Sequence, residues 1–136
     1  MFDYGFEVND AGLIAACTAT IVALKDIVTI GNGLLVGNLV IELSAIEIAD
    51  DDELFTLALQ GSDSPTFASN VECLAICELG AKEVLNYSDV DSTVGKYVIP
   101  FRNERCGITY PYIRLICDVA GTVTTGINFT ARIEAL

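Results

Sequence analysis

Two runs near the end of the chain constrain the fold more than anything else in it. In Tyr112-Ile113-Arg114-Leu115-Ile116-Cys117-Asp118-Val119, Ile113, Leu115, Cys117 and Val119 fall on one parity. Tyr112, Arg114 and Asp118 fall on the other, with Ile116 as an apolar exception. A second run repeats the pattern more cleanly, with Ile127, Phe129, Ala131 and Ile133 against Asn128, Thr130, Arg132 and Glu134. Successive side chains on a strand point to opposite faces, so alternation with period two specifies half-buried antiparallel strands. The polar parity, with Arg114, Asn128, Thr130 and Arg132, is read as one surface, either solvated or in contact with a neighbour.

The same reading extends upstream. Thr18 to Leu24 and Ile27 to Ile30 predict a strand pair or one bent strand, and Gly31-Asn32-Gly33 predicts a turn. Leu39 to Ile48 is the longest strand candidate. Leu39, Ile41, Leu43 and Ala45 share a face, and the parity changes at Ile46, which predicts a bulge or bend near Ala45-Ile46. Leu54 to Gln60 turns Phe55, Leu57 and Leu59 inward and ends in the turn cluster Gly61-Ser62-Asp63-Ser64-Pro65. Glu72 to Leu79 reads as a strand closed by Gly80, and Ala81 to Leu85 as a helical turn. Gly95 to Phe101 contains Pro100, which places it at a sheet edge or strand end. Arg102 to Thr109 reads as a polar turn. About eight short strands, with turn signals between them, predict an all-β antiparallel β-sandwich, a jelly roll in topology.

Residues 1–16 do not read as a strand. Phe2, Tyr4 and Phe6 alternate with Asp3, Gly5 and Glu7, and this aromatic arm is expected to be tied down, on the domain itself or on a partner. Phe2, Tyr4 and Phe6 are therefore the candidate partner-contact residues. Residues 17–136 form the single domain, which is long enough to bury a real core.

Composition narrows function by exclusion. Seven Lys plus Arg against 19 Asp plus Glu give a formal net charge of −12. The cations are scattered, which argues against nucleic acid and against an anionic membrane surface. The uncharged runs 11–24 and 27–41 are shorter than the roughly 20 residues a spanning helix needs. Ile14-Ala15-Ala16-Cys17 looks like a lipoprotein cleavage box, but acids and no Lys or Arg precede it, so the chain is expected to be soluble and made inside the cell. Hydrophobic residues make up 52% of the chain, with 11 glycines besides, more than one small core needs. The surplus lies either in interfaces or in an Ile- and Val-rich β core.

There is no histidine, and no P-loop, dinucleotide fingerprint, G-x-S-x-G elbow or zinc signature. Acid–base work would fall to carboxylates or thiols with strongly shifted pKa values, so no enzyme and no cofactor or metal is expected. The five cysteines read as buried thiols acting as small hydrophobes. Asp50-Asp51-Asp52-Glu53 has neither the glycine nor the spacing of a calcium loop and reads as a solvated turn.

Three stretches carry a resemblance. They are Phe2-Asp3 with Asn9-Asp10-Ala11 and Ile27-Val28-Thr29-Ile30-Gly31; Leu57-Ala58-Leu59-Gln60-Gly61-Ser62-Asp63-Ser64-Pro65-Thr66-Phe67; and Gly95-Lys96-Tyr97-Val98-Ile99-Pro100 with Tyr112-Ile113-Arg114-Leu115 and the residues 120–127. Together they resemble the small jelly-roll capsid cement (decoration) proteins of tailed bacteriophages, the family typified by the cement protein of a Bordetella phage. The segment between Leu74 and Val94, and the Cys73–Cys77 pair, lend the resemblance no support. The resemblance implies a structural virion protein made in the host cytoplasm. Such a protein binds the outside of the capsid, clamps neighbouring major capsid subunits, and is itself a homodimer or, second, a homotrimer. The contrasting readings are a carbohydrate- or receptor-binding β-sandwich of a tail or spike, against which the absence of tryptophan argues, and a small hydrolase.

Overall fold

The computed structural model describes the backbone of residues 7–9, 13–14 and 20–23 and the chain from residue 27 to 136. The described residues form twelve β-strands in chain order. They are β1 (Glu7–Asn9), β2 (Leu13–Ile14), β3 (Thr20–Ala23), β4 (Val28–Thr29), β5 (Val36–Ile46) and β6 (Leu54–Ser62). The remainder are β7 (Glu72–Gly80), β8 (Gly95–Arg102), β9 (Glu104–Arg105), β10 (Ile108–Thr109), β11 (Tyr112–Ala120) and β12 (Ile127–Ala135). One sheet has the order β1-β12-β5-β8, with β2 also on β12, and the other β3-β11-β6-β7, with β4 also on β11. All the pairings are antiparallel, and β9 and β10 form a separate small hairpin. The protein is thus an antiparallel β-sandwich.

β1 and β2 both run along the same edge of β12, with Glu7 opposite Arg132 and Leu13 opposite Asn128. This corrects the expectation that residues 1–16 contain no strand. A two- or three-residue pairing carries almost no alternation, and only the partner strand reveals it. β3 and β4 likewise make one interrupted strand along β11, the bent strand that the β-branched run predicts.

The core lies between the sheets. Ile113, Leu115, Cys117 and Val119 from β11 meet Ile127, Phe129, Ala131 and Ile133 from β12, with Leu39 and Ile41 from β5 and Phe55, Leu57 and Leu59 from β6. Each fully buried Leu, Ile or Phe contributes about 1.5–3 kcal/mol relative to an exposed position. The β5 bulge falls at Ser44, since Phe129 stands opposite Leu43 while Asn128 stands opposite Ala45. It comes one residue earlier than the parity change predicts, and Ala45 is therefore exposed instead of facing inward with Leu43.

The two ends of the sandwich are closed differently. At one end the turn 47–53 meets the turn 121–126. At the other, Asn103 joins three segments and is fully buried, which corrects the reading of Arg102 to Thr109 as a plain polar turn. Its Oδ1 accepts the Leu35 N–H at 2.7 Å, and its Nδ2 donates to the Gly33 and Tyr110 carbonyls at 3.0 and 3.1 Å. Its own backbone N–H donates to the Leu35 carbonyl, and its carbonyl accepts from Tyr110.

Two of the four outer edges, those of β8 and β7, are interrupted. On β8, Pro100 has no N–H to offer a further strand. On β7, Gly80 donates to the Ser92 hydroxyl and accepts the Ser92 N–H, while the Arg105 guanidinium donates to the Cys73 carbonyl. Natural sheets manage exposed edges in these ways.

Two substitutions test the fold. Phe129→Ala is expected to cost about 3–5 kcal/mol in urea unfolding, the usual range for removing a buried phenyl ring. Asn103→Ala leaves buried amide and carbonyl groups without partners and is expected to cost about 2–4 kcal/mol by the same measurement.

Candidate functional site

Phe2, Tyr4 and Phe6, the expected partner contacts, lie outside the described residues. The described part of the arm, β1 and β2, pairs with the domain's own β12.

The structure separates the polar residues that the sequence groups together. Arg114 lies on the outer face of the β11-containing sheet, and Asn128, Thr130 and Arg132 lie on the outer face of the other. Consecutive strands with the same alternation here face each other across the core, so their polar parities point to opposite sides of the molecule. None of the four is fully exposed. Arg132 donates to Glu42 at 2.6 Å and to Glu134 at 2.8 Å. The second bond, reinforced by the guanidinium charge, holds the Glu134 carboxyl below the usual carboxylate range. Arg114 donates from Nε to Gln60 Oε1 at 3.0 Å and stacks 4.4 Å from the centre of the Phe67 ring.

Phe67 reaches that position from the β6–β7 corner. The corner is built by short side-chain bonds of the kind its composition predicts. Ser62 Oγ donates to the Ser69 carbonyl, Ser64 Oγ accepts from the Ala68 N–H, and Asn70 donates to Asp63. Phe67 takes a left-handed backbone conformation, φ 56°, and is only 8% exposed.

Two surfaces carry exposed apolar side chains among the described residues. On the β11 sheet, Ile116, Ala58 and Ile76 stand directly opposite one another across three strands, and Ile76 at the edge is 56% exposed. On the other sheet, β8 presents Lys96, Val98, Pro100 and Arg102 on one exposed face. Val98 is 50% exposed, while Val40 opposite it is buried. In a chain of net charge −12, a stripe with two cations bracketing Val98 and Pro100 differs in chemistry from the rest of the surface. Extended, mixed surfaces of this kind suit a protein partner rather than a small substrate.

The acid run is not the solvated turn it resembles in the sequence. Asp52 accepts the Thr122 N–H and hydroxyl at 3.0 and 2.8 Å, and these bonds lower its pKa, the backbone bond first. Glu47 accepts the N–H groups of Thr124, Thr125 and Gly126 at 2.8, 3.1 and 3.0 Å. The bond from Gly126 is the largest cause of its lowered pKa. Glu53 is fully buried. Its Oε1 accepts the Asp50 N–H at 2.6 Å, and its carbonyl accepts from Ala81. Gly121, at φ 94°, passes so close that a Cβ there would strike the Asp52 carbonyl. Asp50 and Asp51 alone match the expectation of exposed acids. Asp52 and Glu47 hold a corner together through partners 70 or more residues along the chain, which local sequence does not reveal. The Thr-Val-Thr-Thr-Gly turn, rich in small residues with free amides, is the signal that would have pointed to them.

The cysteines divide. Cys117 is buried and its thiol is pushed up to about 12, chiefly by desolvation. Cys77 is pushed to about 11 by burial and then by the Glu78 charge. It lines a cleft of about 280 Å³ between β7, Tyr97 and the loop 85–93, where it stays a neutral thiol at neutral pH. Cys106 is exposed at the tip of the β9–β10 hairpin, which corrects the expectation of uniformly buried thiols; Cys17 lies outside the described residues. A second cleft of about 390 Å³ is lined by Asp63, Asn70, Val71, Glu72, Ile108 and Tyr110.

Among protein-family models and among curated proteins, nothing matches this chain.

The Glu47 corner gives a pH prediction with a definite sign. A carboxylate whose folded pKa is depressed contributes stability above its unfolded value and loses it as pH falls through the folded one. Unfolding midpoints are therefore expected to fall as pH drops below the ordinary glutamate value of 4.5. Glu47→Gln is expected to be less stable than the parent at neutral pH and to show a shallower acid-induced loss. Equal slopes for the two proteins would show that these bonds do not set the acid response.

Proposed function

We propose that this protein is a non-enzymatic structural component of a bacteriophage virion. It binds the outer surface of the capsid and cements neighbouring major capsid subunits as a homo-oligomer. The observation that carries this reading is strand order. With β1–β2 and β3–β4 each counted as one strand, eight positions alternate between the sheets as 1-8-3-6 and 2-7-4-5. That order supports a jelly-roll reading of the sandwich, the fold that the resemblance to cement proteins implies. The stretches carrying the resemblance fall on the β4 strand, on the β6 corner that seats Phe67, and on the β8 and β11 strands.

Surface chemistry supports the same reading. Exposed Ile76, at the end of the row through Ile116 and Ala58, and the stripe on β8 offer contact area to protein partners. A net charge of −12 suits a protein held on the outside of a shell filled with DNA. Repeated attachment to a lattice multiplies weak single contacts through effective concentration.

Fold order by itself does not assign activity, so the test is made on particles. In purified virions the protein is expected at a copy number commensurate with the major capsid protein. Absence from the shell, or only a few copies per particle, would overturn the reading and point to a tail or spike part. Deleting residues 1–6, which leaves β1 in place, is expected to weaken attachment to isolated shells without lowering thermal stability. Undiminished binding would remove the aromatic arm from the contact.

A further inference from the structure

Asn32-Gly33 is the only Asn-Gly step in the chain. It sits in a bend between β4 and β5, with both residues exposed. The chain is pinned on either side of it. Ile30 and Gly31 donate to the Pro111 carbonyl, and Asn103 holds the Gly33 carbonyl and the Leu35 N–H. The Gly33 nitrogen itself donates to nothing among the described residues. Nothing lies within 4 Å of the place where a Gly33 side chain would be.

We propose that Asn32 is a spontaneous deamidation site of the folded protein, a built-in chemical clock on an exposed corner. Base removes the Gly33 amide proton, and the nitrogen attacks Cγ of Asn32. A carbon–nitrogen bond forms, the side-chain amide nitrogen leaves as ammonia, and a five-membered succinimide closes. Water then opens the ring at either carbonyl, giving aspartate or isoaspartate, with no oxidant or reductant involved. Glycine permits the closure because it brings no Cβ against the incoming side chain. Each product adds one negative charge to an already acidic surface. The isoaspartyl product also lengthens the main chain by one carbon, immediately before the carbonyl that Asn103 holds. Deamidation at this step therefore acts on the clamp that closes one end of the sandwich.

The test uses the full chain incubated at mildly alkaline pH, followed by peptide mass spectrometry and an isoaspartyl methyltransferase assay. The amide-to-acid mass gain and the isoaspartyl signal are expected in the peptide containing Asn32, ahead of every other asparagine. Gly33→Ala keeps an unstrained backbone, since Gly33 does not use a left-handed conformation and its surroundings are open. That variant is expected to slow the reaction by about tenfold or more by crowding the attack, with an unchanged melting temperature confirming that it folds. Deamidation at other asparagines with Asn32 intact, or an unchanged rate in Gly33→Ala, would overturn the proposal.

Discussion

β11 and β12 follow one another in the chain, carry the same alternation and lie in opposite sheets, so each buries its apolar parity against the other. Everything else in the sandwich is arranged around that contact. β6 and the β3–β4 strand flank β11, while β5 and the β1–β2 strand flank β12. The side chains of β5 and β6 complete a dry layer in which Phe55 and Phe129 are the largest fully buried groups. Because the contact is between sheets and not within one, the chain has to cross the end of the sandwich in the six residues 121–126. The crossing is short, rich in unpaired amides, and stable only if those amides find acceptors. Glu47 and Asp52, from the equivalent crossing between β5 and β6, supply them.

The opposite end solves the same problem without charge. One asparagine side chain, buried among three segments, uses both its acceptor and its donor on main-chain groups. The two ends therefore respond differently to conditions. The carboxylate-held end loosens in acid, while the Asn103 clamp contains no titrating group and lies beside the Asn32-Gly33 step.

The strands were legible because alternation reports which face a residue takes, and nearly all the long runs were read correctly from it. Alternation does not report which strand lies next door. That is why Arg114 was grouped with Asn128, Thr130 and Arg132 although they decorate opposite faces. It is also why β1 and β2, too short to show a period, were read as a plain arm. The bonded roles of Asp52 and Glu47 are hidden in the sequence for a related reason. A carboxylate bound to an amide far along the chain looks, in sequence, the same as one bound to water. Asn103 was hidden by its company, since Arg102, Glu104 and Arg105 on either side made the segment look solvated throughout. The candidate surface was legible only in its ingredients, as surplus apolar residues and scattered cations. Placing Lys96, Val98, Pro100 and Arg102 on one exposed face of an outermost strand required the register with β5.

That outermost strand has a consequence for how copies of the protein meet. Pro100 removes a donor from one sheet margin, and Ser92 and Arg105 occupy main-chain groups at both ends of the other. Molecules crowded side by side along the β8 and β7 edges find no uninterrupted ladder to extend, so growth of a shared sheet is checked there. Contacts between neighbours along these two edges then run through side chains. Such contacts form and break one at a time, weaken with salt where charges take part, and allow a dense layer of the protein to stay in exchange instead of setting into a fibre.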